Sequence, residues 1–187
     1  MSEAEYFAAL RDLLLPRLCD VAKLVGGHYV IEETGQKPFE LNVRGVGSVQ
    51  AIKPEGMHGD WSCFRSPHEH AHKRCDRIMV GWDKTAHAPK FLLIELKSTQ
   101  TGTARKQLAA SLAFCHFVHR MVCVNQNDLP AARFGAVTVM TLPFSLKALS
   151  PARGPAWERQ NLQSDCPHMR FNRALGALPI AALMAQI

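Results

Sequence analysis

The sequence predicts an α/β fold in which a central mixed β-sheet is flanked by helices. Apolar residues recur at helical spacing over residues 4–25. Two apolar runs, RIMVGW and FLLIELK, flank a short polar loop. A second helical pattern from residue 101 then gives way to further apolar β-type runs. Helices and strands interleaved in this way bury their apolar faces by packing helices onto a sheet.

Each element has its own reason. AEYFAALRDLLLPRLCDVAKLV (4–25) is an amphipathic helix that Pro16 divides or kinks, and Gly26 and Gly27 end it. His28 to Ile52 carries β-type stretches separated by turn residues, and 53–75 is polar, rich in Gly, Pro and His, and reads as loop or a short strand. RIMVGW and FLLIELK, joined by DKTAHAPK, form a hairpin; folding it about the middle of the loop sets position 76 opposite 97, 78 opposite 95 and 80 opposite 93. TGTARKQLAASLAFCHFVHRM is a largely buried helix with a Thr as N-cap and apolar positions at 108, 112, 114, 115, 117, 118 and 121. MVCV and FGAVTVMTLPF read as two more buried strands. From residue 150 the tail is a Pro/Gly/Arg loop followed by a short apolar segment.

The length of 187 residues fits one domain, with its core over about 28–145. A hydrophobic share of 47% with 20% charged residues is that of a soluble globular protein. The net charge of +6 suits a polyanionic partner, because Lys and Arg displace counterions from phosphates. The opening MSEAEYFAALRD has early acids and no basic-then-apolar leader, and no apolar run is long enough to span a bilayer. The expectation is a cytoplasmic protein, with no membrane association, whose six cysteines are reduced thiols.

The end of FLLIELK carries the chemistry. Glu95 and Lys97 lie two residues apart on one face of a strand, and the hairpin brings Asp76 to the same face and the same end. Two carboxylates and an ammonium at the end of a buried sheet suit Mg²⁺, or Mn²⁺, because carboxylate oxygens bind the ion and substrate phosphate oxygens complete its shell. The plainer reading is a salt bridge at the strand end.

KRCD at 73–76, IELK at 94–97 and KQL at 106–108 together resemble the PD-(D/E)XK superfamily of restriction-endonuclease-like nucleases. The resemblance covers about residues 60–125 and implies an αβββαβ core with a central mixed sheet flanked by helices. It implies a metal-dependent endonuclease, acting on DNA in restriction or phage defence. Asp76 and Glu95 would bind the metal with the Leu96 backbone carbonyl, Lys97 would be catalytic, and Gln107 would support the site. Cys75 stands where the family has Pro, and Glu5, Asp12, Asp20, Glu32 and Glu33 all remain candidates for a first-helix acid. A chain of this size is expected to work as a homodimer or with a partner protein. A catalytically silent nucleic-acid- or partner-binding module with the same fold is the alternative.

Lys73, Arg74, Arg105 and Lys106 surround the acids and are candidates to hold backbone phosphates without reading bases. CFRSPHEHAHKRC could build a zinc site, but its spacing fits no standard module, and solvated histidines are the plainer reading. A nucleobase deaminase is excluded, because HEH does not place a Glu two residues after a His and no CxxC occurs. His116 and His119 receive no role, and Trp61 and Trp82 read as packing residues.

Overall fold

The structure, a computed structural model, describes residues 1–14, 16, 18–20, 28–31, 39–43, 48–54, 74–97, 103–124, 130–140, 160–163, 166–172 and 178–187. Lys73, the histidine-rich segment with Cys63, Trp61, Glu32 and Glu33 lie outside the described residues.

In chain order the elements are α1 (Glu3–Leu13), β1 (Cys19–Asp20), β2 (His28–Ile31), β3 (Phe39–Asn42), β4 (Gln50–Ile52), β5 (Arg77–Asp83) and β6 (Ala88–Lys97). They continue with α2 (Ala104–Val122), β7 (Arg133–Met140), β8 (Gln160–Gln163), β9 (Cys166–Asn172), β10 (Leu178–Pro179) and α3 (Ile180–Met184). Among the described residues the larger sheet runs β1-β4-β5-β6-β7-β9-β8, and the smaller runs β10-β3-β2. β4 and β6 each run antiparallel to β5, and β7 is parallel to β6. A parallel neighbour requires a crossover between strands, and α2 lies within it.

The hairpin register differs from the one expected. Arg77 pairs with Ile94, Ile78 with Leu93 and Val80 with Phe91, two residues away from the sequence reading. The turn is responsible. Asp83 Oδ1 accepts the Thr85 and Ala86 N–H groups at 2.9 and 3.0 Å, and His87 adopts φ 49°. This closes a tight turn of Lys84–His87 in place of a symmetric loop. A shift of two preserves the alternation of faces, so Glu95 and Lys97 keep the face assigned to them.

Four further expectations are corrected. The first helix ends at Leu13, because Pro16 has no N–H to continue the ladder, and Cys19 and Asp20 pair with β4 instead. MVCV is no strand: Met121 and Val122 finish α2, and Cys123 and Val124 form the turn after it. Among the described residues the tail beyond 150 supplies three strands, β9 parallel to β7, β8 antiparallel to β9 and β10 parallel to β3. Phe117 and Met121, read as apolar inward positions of the second helix, are exposed.

The sheet separates two apolar clusters. One holds Tyr6, Phe7 and Leu10 of α1 and Leu108, Leu112 and Cys115 of α2 against Ile78, Val80, Phe91 and Leu93. The other holds Tyr29, Leu41, Ile180 and Leu183 against Met79, Leu92, Ile94 and Val137. β5 and β6 are therefore buried on both faces, which explains their nearly unbroken apolar sequence.

Candidate functional site

Asp76 sits in a bend just before β5, Glu95 and Lys97 end β6, and Gln107 lies in the first turns of α2. Continuing the hairpin register by one step sets Asp76 opposite Glu95. The Asp76 carboxylate accepts the Leu96 N–H at 2.5 Å, a short bond of the charge-assisted kind. Lys97 Nζ lies 2.5 Å from Glu95 Oε1 and donates to Gln107 Oε1 at 2.7 Å. Gln107 Nε2 in turn donates to the Arg74 carbonyl at 3.3 Å. The four residues singled out in the sequence are thus gathered at one end of the sheet.

Burial sets the electrostatics. The Glu95 side chain is 1% exposed and Lys97 19%, so the carboxylate is held out of water with a cation beside it. A carboxylate in that position keeps its charge only with such company. Burial, reinforced by the charges of Glu95 and Asp76, pushes the Cys75 thiol far up, so it stays protonated and is no nucleophile. Burial also lowers the Arg74 guanidinium from its usual value. Arg105 and Lys106 are exposed in the first turn of α2, whose N-cap Thr103 makes no side-chain cap bond.

Cys75 is fully buried and joins the cluster under α2 together with Ile78. Of the candidate first-helix acids, Glu5 is committed elsewhere. It completes a capping box with Ser2, accepting the Ser2 N–H at 2.7 Å, and this bond holds its carboxyl below the usual range. Asp12 is exposed on α1.

Other residues complete the surroundings, Arg77 among them, one of the basic residues that flank the acids in the sequence. Arg77, 3% exposed, donates to the Asp76 carbonyl at 2.5 Å and to Tyr29 Oη at 3.3 Å. Ser111 Oγ accepts the Cys75 N–H at 2.7 Å. The signal for Ser111 was its place one helical turn from Gln107, on the same face. Beside Glu95, Thr138 of β7 bonds His168 of β9 at 2.9 Å, both buried.

Among the described residues no group of three or more His, Cys, Asp or Glu side chains is gathered that could hold a metal ion. A cleft lined by Ser2, Glu3, Phe7, Arg11 and Gln50 lies where the start of α1 meets β4, and no residue of the acidic site lines it. No described helix is long and apolar enough to cross a membrane. Comparison with protein-family models, with curated proteins and with solved structures finds no match.

Proposed function

We propose that this chain is a Mg²⁺-dependent endonuclease of restriction-endonuclease-like fold, acting on DNA in the cytoplasm in restriction or phage defence. The observation that carries the reading is the gathering of Asp76, Glu95, Lys97 and Gln107 at one sheet end. With β1–β3 set aside, the order α1, β4, β5, β6, α2, β7, in which β4 and β6 are antiparallel to β5 and β7 is parallel to β6, supports an αβββαβ core.

The donor chemistry fits a hard divalent cation. Asp76 and Glu95 offer carboxylate oxygens. The Leu96 N–H reaches Asp76 on the β5 side, and in a strand a residue's carbonyl points the same way as its N–H. Two carboxylates and one carbonyl are the oxygen ligands that Mg²⁺ or Mn²⁺ takes. A bound ion offsets phosphate charge and acidifies water. Lys97 Nζ, fixed by Gln107, orients the attacking water or a phosphoryl oxygen. The water oxygen bonds to phosphorus as the bond to the leaving sugar oxygen breaks. Lys73, Arg74, Arg105 and Lys106 hold neighbouring phosphates. Cutting both strands calls for a homodimer or a partner protein.

The test is cleavage of plasmid and single-stranded DNA with Mg²⁺ or Mn²⁺ by wild type, Asp76→Ala and Lys97→Ala. Wild type cuts, and each variant falls by about a hundredfold or more. Equal activity in all three sinks the assignment. Salt-sensitive DNA binding with no metal-dependent cleavage selects the silent module instead.

A further inference from the structure

We propose that Ser111 is a positioning residue for Asp76; the nuclease reading enters only in what Asp76 does once positioned. Residues 74–76 precede β5, which begins at Arg77, so they stand outside the hairpin ladder. Backbone outside a ladder needs other hydrogen-bond partners when it is buried. Three consecutive residues receive them from side chains. The Arg74 carbonyl accepts from Gln107 Nε2 at 3.3 Å, the Cys75 N–H donates to Ser111 Oγ at 2.7 Å, and the Asp76 carbonyl accepts from Arg77 Nη1 at 2.5 Å.

Gln107 and Ser111 lie one turn apart on α2 and act from the same face. Arg77 acts from β5, supported by Tyr29 of the opposite cluster. The segment is therefore gripped from both sides of the sheet. Its payload is the Asp76 carboxylate, aimed at the Leu96 N–H.

Ser111 is the arm of this grip most cut off from water. Ser111 and Cys75 are both 0% exposed, so no solvent replaces the bond between them. Removing the hydroxyl leaves a buried N–H without an acceptor, the expensive way to lose a hydrogen bond. Serine is also an indifferent helix former, and a fully buried one in mid-helix gains its place through such a bond. Relaxing it lets Cys75 and Asp76 drift, and a binding constellation tolerates only about 0.5 Å of drift.

The experiment compares wild type, Ser111→Ala and Ser111→Thr by amide hydrogen exchange and by Mn²⁺ binding in calorimetry. The Leu96 amide reports the Asp76 contact directly and without metal. In Ser111→Ala, exchange at Cys75 and Leu96 rises by about tenfold or more, while Val80 and Leu92 in mid-strand are unchanged. Mn²⁺ affinity falls by about tenfold, the usual effect of losing a supporting partner. Ser111→Thr, which keeps the hydroxyl, restores protection of Leu96. If Ser111→Ala does not fold, Ser111→Cys, close in volume and a weaker acceptor, shows intermediate exchange at Leu96. An unchanged Leu96 amide, or a uniform rise along β5 and β6, overturns the proposal. Selective exposure of Leu96 in a protein whose wild type takes up no Mn²⁺ upholds the positioning role and rejects the nuclease.

Discussion

His119 shows how a single buried side chain fixes its own proton. Its Nε2 lies 2.9 Å from the Pro130 carbonyl, which can only accept, so Nε2 carries the hydrogen. Nδ1 is then the acceptor for the Tyr6 hydroxyl at 3.0 Å, and the imidazole is neutral. Burial lowers its pKa from the ordinary 6.5, outweighing the support of Pro130. The sign follows from linkage. Above about 6.5 both folded and unfolded chains hold a neutral ring, so the folded state is favoured in full. Below it the unfolded chain binds a proton that the folded one refuses, and stability falls until the folded pKa is passed. Urea unfolding followed from neutral to mildly acidic pH therefore shows declining stability, and His119→Gln flattens part of the decline. An identical slope in that variant refutes the account. The neighbouring His116 packs at a tilt against Phe134 with ring centroids 4.0 Å apart, so both helix histidines are engaged in packing. Apolar neighbours in the sequence had already argued against a catalytic role for either.

At the scale of the element, the β5–β6 hairpin depends on Asp83. Its carboxylate caps the turn, lies 3.0 Å from Lys90 Nζ and receives Arg133 at 3.4 Å. The Ala86 N–H foremost, then Lys90, holds its pKa down from 3.8 to about 2. The depressed value means that Asp83 stabilises the fold fully above about 3.8 and loses that contribution as pH falls toward 2. Asp83→Asn keeps a turn acceptor and loses the charge, so its acid unfolding curve is shallower over that window. Asp83→Ala loses the turn as well and is destabilised at neutral pH by roughly 1–2 kcal/mol, measured by denaturant titration. An alanine variant as stable as wild type contradicts this.

The same hairpin marks what a sequence can and cannot reveal. Its two strands were legible because both faces are buried and their apolar residues are contiguous. The register was not, because a side chain capping two amides sets it, and apolar length alone says nothing of that. The site survived the error because an even shift keeps every side chain on its face. β9, CPHMRFN, was illegible for another reason. It contains Pro167, and buried His168 takes Thr138 as its partner, so neither alternation nor an apolar run announces a strand. Ser111 escaped notice because its role is a bond to backbone more than thirty positions away in sequence.

The whole molecule carries a net charge of +6, and its exposed Arg105 and Lys106 lie near the acidic site. If they contact phosphates, DNA affinity falls steeply with salt, and Arg105→Ala and Lys106→Ala each reduce the slope of log K against log salt by about one. Fluorescence anisotropy over a salt series measures it, and an unchanged slope removes both residues from the interface. The fold itself has a further consequence, in time rather than in space. The cluster of Tyr29, Leu41, Met79, Leu92 and Ile94 is closed by Ile180, Leu183 and Met184, which the ribosome makes after the strands they cover. Among the described residues the last member of the opposite cluster is Cys166. During synthesis one side of the sheet can therefore close while the other still presents apolar surface. That interval is when the nascent chain is most exposed to aggregation and most attractive to chaperones.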